Sequence, residues 1–423
     1  MYIDLDKHSV IEYVKARTQI FARDAKLNAY EFGEGEDDGD GFVNFVYRVW
    51  EEGGPSVIVK QAKTRFKRFD ENTKTPFIQE RNETEAVLMR MKHAIVPQYI
   101  PEIYDVDTEN HVFICEDAGV DCKILRYETM KGVTYKNVGS RIAEFIAKCN
   151  FYTSEVYLEP DVHQELEAHF INAQQRKVFQ TSLFLHDETS FGPKDGDTAR
   201  IIGDPIRYEM GELPWKDKAF RTEMLKLRHI HMKKPECIVH GDLHTSNILL
   251  NDDRMKVIDA EYSYMGPLSA DSGYLLGSML YEYIRWFYLP EYGEAKSAEM
   301  RQYALDMMQD FLTGYIETYK ACWDADARFT YQGYDEYRDF ICDTWFHEVM
   351  GFAGCQIMSR VGHQVPLDDL ETIPNQDDQY EACRIVILLG KYLIMHRDEL
   401  NTPEDFINFM VTYTDKYRKI FSK

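Results

Sequence analysis

At 423 residues the chain is long enough for two or three packed units, and 44% hydrophobic with 13% aromatic residues is the composition of a globular protein, which excludes a disordered chain. A formal net charge of -23 excludes nucleic acid or an anionic membrane as partner unless a local basic patch reverses the field. The basic cluster at 63–68, "KTRFKR", reads as a solvated loop or an edge near an anionic ligand.

Ser9 followed by Glu12 has the spacing of a capping box, and Val10, Tyr13, Val14, Arg17 and Phe21 continue as a helical stripe. Next, Val43, Phe45, Tyr47 and Val49 alternate with more polar positions, and Val57 to Lys60 forms a second apolar run after a glycine turn, which predicts a hairpin. Thr75 before Pro76 suits a helix start, with helical period through 77–94. Strand candidates "YIPEIYDV" and "HVFICED" follow, and the acidic, glycine-containing "EDAGVDCK" reads as a connector. The expected domains are therefore 1–117 and 118–423.

Helical stripes dominate the second part, near 137–149, 161–180, 217–232, 271–288, 297–320, 335–360, 377–397 and 403–420. The segment 237–262, "CIVHGDLHTSNILLNDDRMKVIDAEY", interrupts them with short apolar runs around a polar loop and an acidic turn. Eight cysteines are scattered without a CxxC pair or zinc-ligand spacing, so they read as small buried hydrophobes of a reducing compartment. With no apolar run of about 18 residues and no leader-like start, the expectation is a soluble cytoplasmic protein.

That interrupting segment carries the chemistry. Asp242 and Asp259 stand seventeen residues apart, and Asn247 follows Asp242 by five. Phosphoryl transfer needs one carboxylate to orient a hydroxyl and accept its proton, and another to hold Mg²⁺ against nucleotide phosphates. The order HxD, Asn at plus five, and an apolar-flanked acid at plus seventeen is that of a kinase catalytic loop and metal motif. His240 or Asp242 alone would more often merely cap a turn. A nucleotide kinase also needs a strand lysine and a helix acid to hold it: Lys60 in "VIVK" is the lysine, with Glu83 or Glu85 its candidate partner. The turn "GDGFVN" before that strand lacks a full GxGxxG, so its position rather than its glycines supports a phosphate cradle.

These residues resemble the aminoglycoside phosphotransferase and choline kinase group of small-molecule kinases, and within it the methylthioribose kinases. The resemblance rests on "GDGFVNFVYRV", "VIVKQA", "CEDAG", "KILR", "FYTSEVYL", "HGDLHTSN", "VIDAEYSYMGP" and "GFAGCQIMSR", which span most of the chain. It implies an α+β, protein-kinase-like bilobal fold: a small N-terminal lobe with an antiparallel sheet and a larger, mainly helical C-terminal lobe. It implies ATP and Mg²⁺ as cofactors. Asn44 and Lys60 would contact ATP, Glu116, Asp117 and Ala118 would form the hinge beside adenine, and Asp259, Ala260 and Glu261 would form the nucleotide and metal motif, with Asn247 as a further metal ligand. Asp242 would be the base at a sugar hydroxyl, Arg360 would touch the substrate, and His240 and Asp271 would brace the loop.

The implied substrate is a small sugar, first 5-methylthioribose at its anomeric hydroxyl, as in methionine salvage, and the implied assembly is a homodimer. A choline or ethanolamine kinase, a related deoxysugar kinase and a silent nucleotide-binding protein are the alternatives. The chain departs from the methylthioribose kinases where "HTGS" becomes "HTSN", where a pair of arginines becomes Ser359 and Arg360, and where a tryptophan loop becomes "KRFDENTKTPF".

Overall fold

A computed structural model describes residues 2–33, 43–65, 78–184, 217–361 and 368–421. The chain divides into two compact units, one of residues 1–128 and 246–263 and the other of 129–245 and 264–423. As expected for the fold class, the first is built on an antiparallel sheet and the second is mainly helical.

In the first unit the opening helix, α1 (Ser9–Arg17), is followed by strands β1 (Leu27–Glu31), β2 (Phe45–Glu51) and β3 (Ser56–Gln61), then α2 (Arg81–Ile95), β4 (Ile103–Asp107) and β5 (Val112–Glu116). The strands form one antiparallel sheet in the order β1-β2-β3-β5-β4. Successive side chains on a strand point to opposite faces. Phe45, Tyr47, Val49, Val57 and Val59 accordingly turn to one face and bury against Val10, Tyr13 and Val14 of α1. Lys60, one residue on from Val59, turns to the other face, where it meets α2. Gln61 returns to the α1 side, and its buried amide accepts from the Leu5 N–H and donates to the Ile3 and Asn110 carbonyls.

One expectation here needs correction. Ser9 does not cap α1: it is the first helical residue, and Asp6 instead accepts from the N–H groups of His8 and Ser9 at 2.8 and 2.7 Å. An acid reaches those donors more strongly than a hydroxyl because the bond is charge-assisted. Strand β1 was not anticipated, since "LNAYE" has no alternation; it is a partly buried edge held by its ladder to β2. The expected helix start at Thr75 and Pro76 lies outside the described residues.

The unit is completed by a small antiparallel sheet of Lys123–Ile124, Ile248–Leu250 and Met255–Val257. The last two strands are a hairpin closed by the turn at Asn251, whose N–H donates to the Arg254 carbonyl at 2.9 Å. That hairpin is anchored by Val257, whose N–H donates to the Tyr99 carbonyl at 2.8 Å, and by Lys256, whose buried ammonium donates to the Ile100 carbonyl and Glu116.

The second unit packs the long helices Gly293–Asp326, Asp335–Val361, Gln376–Met395 and Pro403–Phe421 with Val138–Tyr152 and Lys218–Lys233. The stripe expected over 161–180 is broken into Pro160–His169 and Ala173–Phe179. At its centre, every residue of helix Ala270–Arg285 is buried. Gly273 permits this, because a Cβ there would fall 2.3 Å from the Phe352 Cβ on the neighbouring helix. A short two-stranded ladder, Cys237–Val239 with Tyr264–Gly266, runs beside these helices. All eight cysteines of the two units are free and buried.

Candidate active site

In the first unit, α2 and the turn after Met255–Val257 bring five charged side chains together. Lys60 is buried, and its ammonium lies 2.8 and 2.7 Å from the two carboxylate oxygens of Glu85 and also bonds Asp259. Burial disfavours charge on this lysine, but the fields of Asp259, Glu85 and Glu261 outweigh it and hold its pKa raised, so Lys60 stays cationic. Asp259 adopts a left-handed conformation, φ 67°, which non-glycine residues adopt at a cost of roughly 1 kcal/mol or more. That kink turns its carboxylate toward Lys60, while Glu261 is buried and accepts from the Asn44 amide at 2.7 Å and the Arg81 Nε at 2.9 Å.

The partner of Lys60 is therefore Glu85. Glu83, the other candidate, pairs with His111 at 3.0 Å. Two residues along a helix turn the side chain by about 200°, so these acids cannot face the same lysine. Sequence reasoning also missed Arg81, although it stands four residues before Glu85, the spacing that puts two side chains on one helix face.

The expected hinge directs its side chains into the protein. Glu116 accepts from Lys256 at 2.9 Å and Arg254 at 3.0 Å. Asp117 is paired with Arg48, bonds the Ser56 hydroxyl and accepts from the Gly119 N–H at 2.9 Å. Ala118 packs with Cys122 and Leu249. Asn247 ends a 3₁₀ turn and is buried; its carbonyl accepts from the Ile258 N–H at 3.0 Å. Ala260 is buried in the turn that its carbonyl closes with Ser263.

In the second unit, the strand Cys237–Val239 delivers the chain into the loop that carries Asp242. Gly241, at φ 84°, makes the kink that glycine takes most readily. Asp271, in the first turn of the buried helix Ala270–Arg285, accepts from the N–H groups of both His240 and Gly241. The imidazole of buried His240 accepts from the Asp242 N–H through Nδ1 at 3.3 Å, which places its ring proton on Nε2. Farther along, the Thr245 N–H donates to Ser278 on the same buried helix at 3.2 Å. Asp242 keeps part of its carboxylate exposed, 3.8 Å from His244 Nε2. Arg360 lies in the last turn of helix Asp335–Val361, partly exposed.

A family model described as "Phosphotransferase enzyme family" matches residues 190–305. A methylthioribose kinase of Geobacillus thermodenitrificans is 28% identical over 379 residues, 88% of this chain and 89% of the relative. One from Citrobacter koseri is 28% identical over 400 residues, 91% of this chain and 96% of the relative. The chain is a homologue of the methylthioribose kinases. Among solved structures, a choline kinase from Cryptosporidium parvum covers 98% of the chain and is itself 95% covered, with a TM-score of 0.45 and 12% identity.

Proposed function

We propose that this protein is an ATP- and Mg²⁺-dependent kinase that phosphorylates a hydroxyl of a small sugar, with 5-methylthioribose, taken at its anomeric hydroxyl, as the substrate. The observation that carries the reading is Lys60 held between Glu85 and Asp259, together with likeness to methylthioribose kinases over about nine-tenths of the chain.

Lys60 neutralises the α- and β-phosphates of ATP, and Glu85 keeps its ammonium aimed as the phosphates arrive. Asn44 borders the same phosphates. The backbone of Glu116, Asp117 and Ala118 serves adenine, since their side chains are engaged elsewhere. Asp259, Glu261 and Asn247 offer carboxylate and amide oxygens, the hard donors that Mg²⁺ prefers, and would hold the ion. When bound, that ion neutralises charge developing on the transferred phosphoryl group.

Asp242 is the base. It orients the sugar hydroxyl and takes its proton as the oxygen bonds to the γ-phosphorus and the bond to ADP breaks. Asp271 and His240 hold the loop backbone so that Asp242 arrives oriented, and Arg360 contacts the sugar. The expected sites are the cytoplasm and a homodimer.

An ADP-release assay over 5-methylthioribose, 5-deoxyribose, ribose and choline tests the reading. Turnover should be highest with 5-methylthioribose, and Asp242→Asn should lower kcat by about 10³-fold or more while ATP binding survives. No turnover of any sugar, or normal turnover by Asp242→Asn, would refute it.

A further inference from the structure

Helix α2 presents two charged residues on one face, one turn apart. Glu85 holds Lys60, and Arg81 holds Glu261. The Arg81 side chain is almost fully buried, and each of its three nitrogens has a partner. Nε donates to Glu261 at 2.9 Å, Nη2 to the Asn44 side-chain oxygen at 2.7 Å, and Nη1 to the Ile78 carbonyl at 2.8 Å. The Asn44 amide closes the ring by donating to the same Glu261 oxygen at 2.7 Å.

This geometry uses the rigid fork of a guanidinium. A lysine offers one point of charge and cannot hold a carboxylate and an amide at fixed separation. The charges come close to balance: two cations, Lys60 and Arg81, stand against the three acids Glu85, Asp259 and Glu261. Without Arg81, one ammonium would face three carboxylates, two of them buried, and burying unpaired charge is costly.

We propose that Arg81 is a positioning residue for phosphoryl transfer. It acts through Glu261 and Asn44, fixing the acid that would serve the metal and the side chain that borders the phosphates. Its guanidinium brings to the Glu261 carboxylate the positive charge that a divalent ion would also bring there. The inference rests on the kinase reading for the roles of those two residues, and on the bonds above for the arrangement.

The test compares wild type with Arg81→Ala and Arg81→Lys in thermal unfolding, with chelator and with MgCl₂. A divalent ion replaces the charge that the alanine variant lacks and the fork that the lysine variant lacks. Magnesium should therefore raise the melting temperature of either variant more than that of wild type. With an accepted sugar, Arg81→Lys should lower kcat about tenfold or more while the sugar KM stays within about twofold, since a misplaced acid costs rate rather than sugar affinity. Should Arg81→Ala fail to fold, Arg81→Lys carries both measurements. Equal magnesium responses in variant and wild type would overturn the proposal, as would a wild-type kcat in Arg81→Lys. The melting measurement needs no sugar, so a wild-type protein that turns over no candidate sugar would sink the functional reading and still leave Arg81 measurable.

Discussion

Asp271→Asn isolates the support of the Asp242 loop. Each carboxylate oxygen of Asp271 accepts one backbone N–H, from His240 and from Gly241. Asparagine keeps one acceptor and turns a donor toward the other N–H, so one charge-assisted hydrogen bond is lost and a buried donor is orphaned. That loss is worth roughly 1.5–3 kcal/mol. Asp271 also sits in the first turn of its helix, where a negative charge contributes about 0.3–1 kcal/mol through the helix dipole. The second unit should therefore lose about 2–4 kcal/mol. Displacement of a catalytic group by about 1 Å costs on the order of 100-fold, so kcat should fall by about 10- to 100-fold. Residues of the first unit are untouched, so ATP affinity should hold within about twofold. Thermal unfolding, steady-state kinetics and ATP titration on one preparation supply the three numbers. A kcat within twofold of wild type would refute the reasoning, because the loop would then hold its aspartate without this brace.

Two further perturbations address the second unit. His231 is buried beside Tyr264 and Tyr274, whose hydroxyls lie 2.9 and 3.2 Å from its Nδ1, and burial, with the charges of Arg176 and Arg228, pushes its pKa from 6.5 down to about 3. The neutral ring is thus the folded form, and its stability is fully present above pH 6.5 and lost as pH falls from there toward 3, a loss on the order of 4 kcal/mol. Chemical denaturation across that range should show a shallower acid decline in His231→Phe than in wild type, and parallel declines would remove His231 from the account. Gly273→Ala would place its methyl 2.3 Å from the Phe352 Cβ, forcing two packed helices apart at a cost of about 1–3 kcal/mol. Its melting temperature should fall, whereas an unchanged or higher value would mean that the helices give way freely.

Much of this was legible in the chain because local pattern and tertiary environment agree. The alternation through Phe45, Tyr47 and Val49 marks a half-buried strand, and the long apolar stripes of the second unit mark helices whose ends differ from expectation by a few residues. What was not legible depended on distant partners. Strand β1 exists because β2 offers it a ladder. The choice between Glu83 and Glu85 turns on helical phase against a strand lysine. Arg81 gains its meaning from Glu261, a residue 180 positions away that no local pattern links to it. Asp271 became a candidate brace through family resemblance, whereas its bonds to His240 and Gly241 depend on the packing of its helix.

The burial of every cysteine turns the thiols into a clock for unfolding. Burial raises the pKa of Cys115, Cys342, Cys355 and Cys383, so little thiolate is available to a reagent while the chain is folded. Two of the eight, Cys115 and Cys122, belong to the first unit, and the other six belong to the second. A thiol reagent that labels in steps therefore reports which unit opens first: two groups ahead of six if the sheet yields, six ahead of two if the helices do. No fluorophore or tag is needed, since the sequence already carries an unequal set of labels on its two halves.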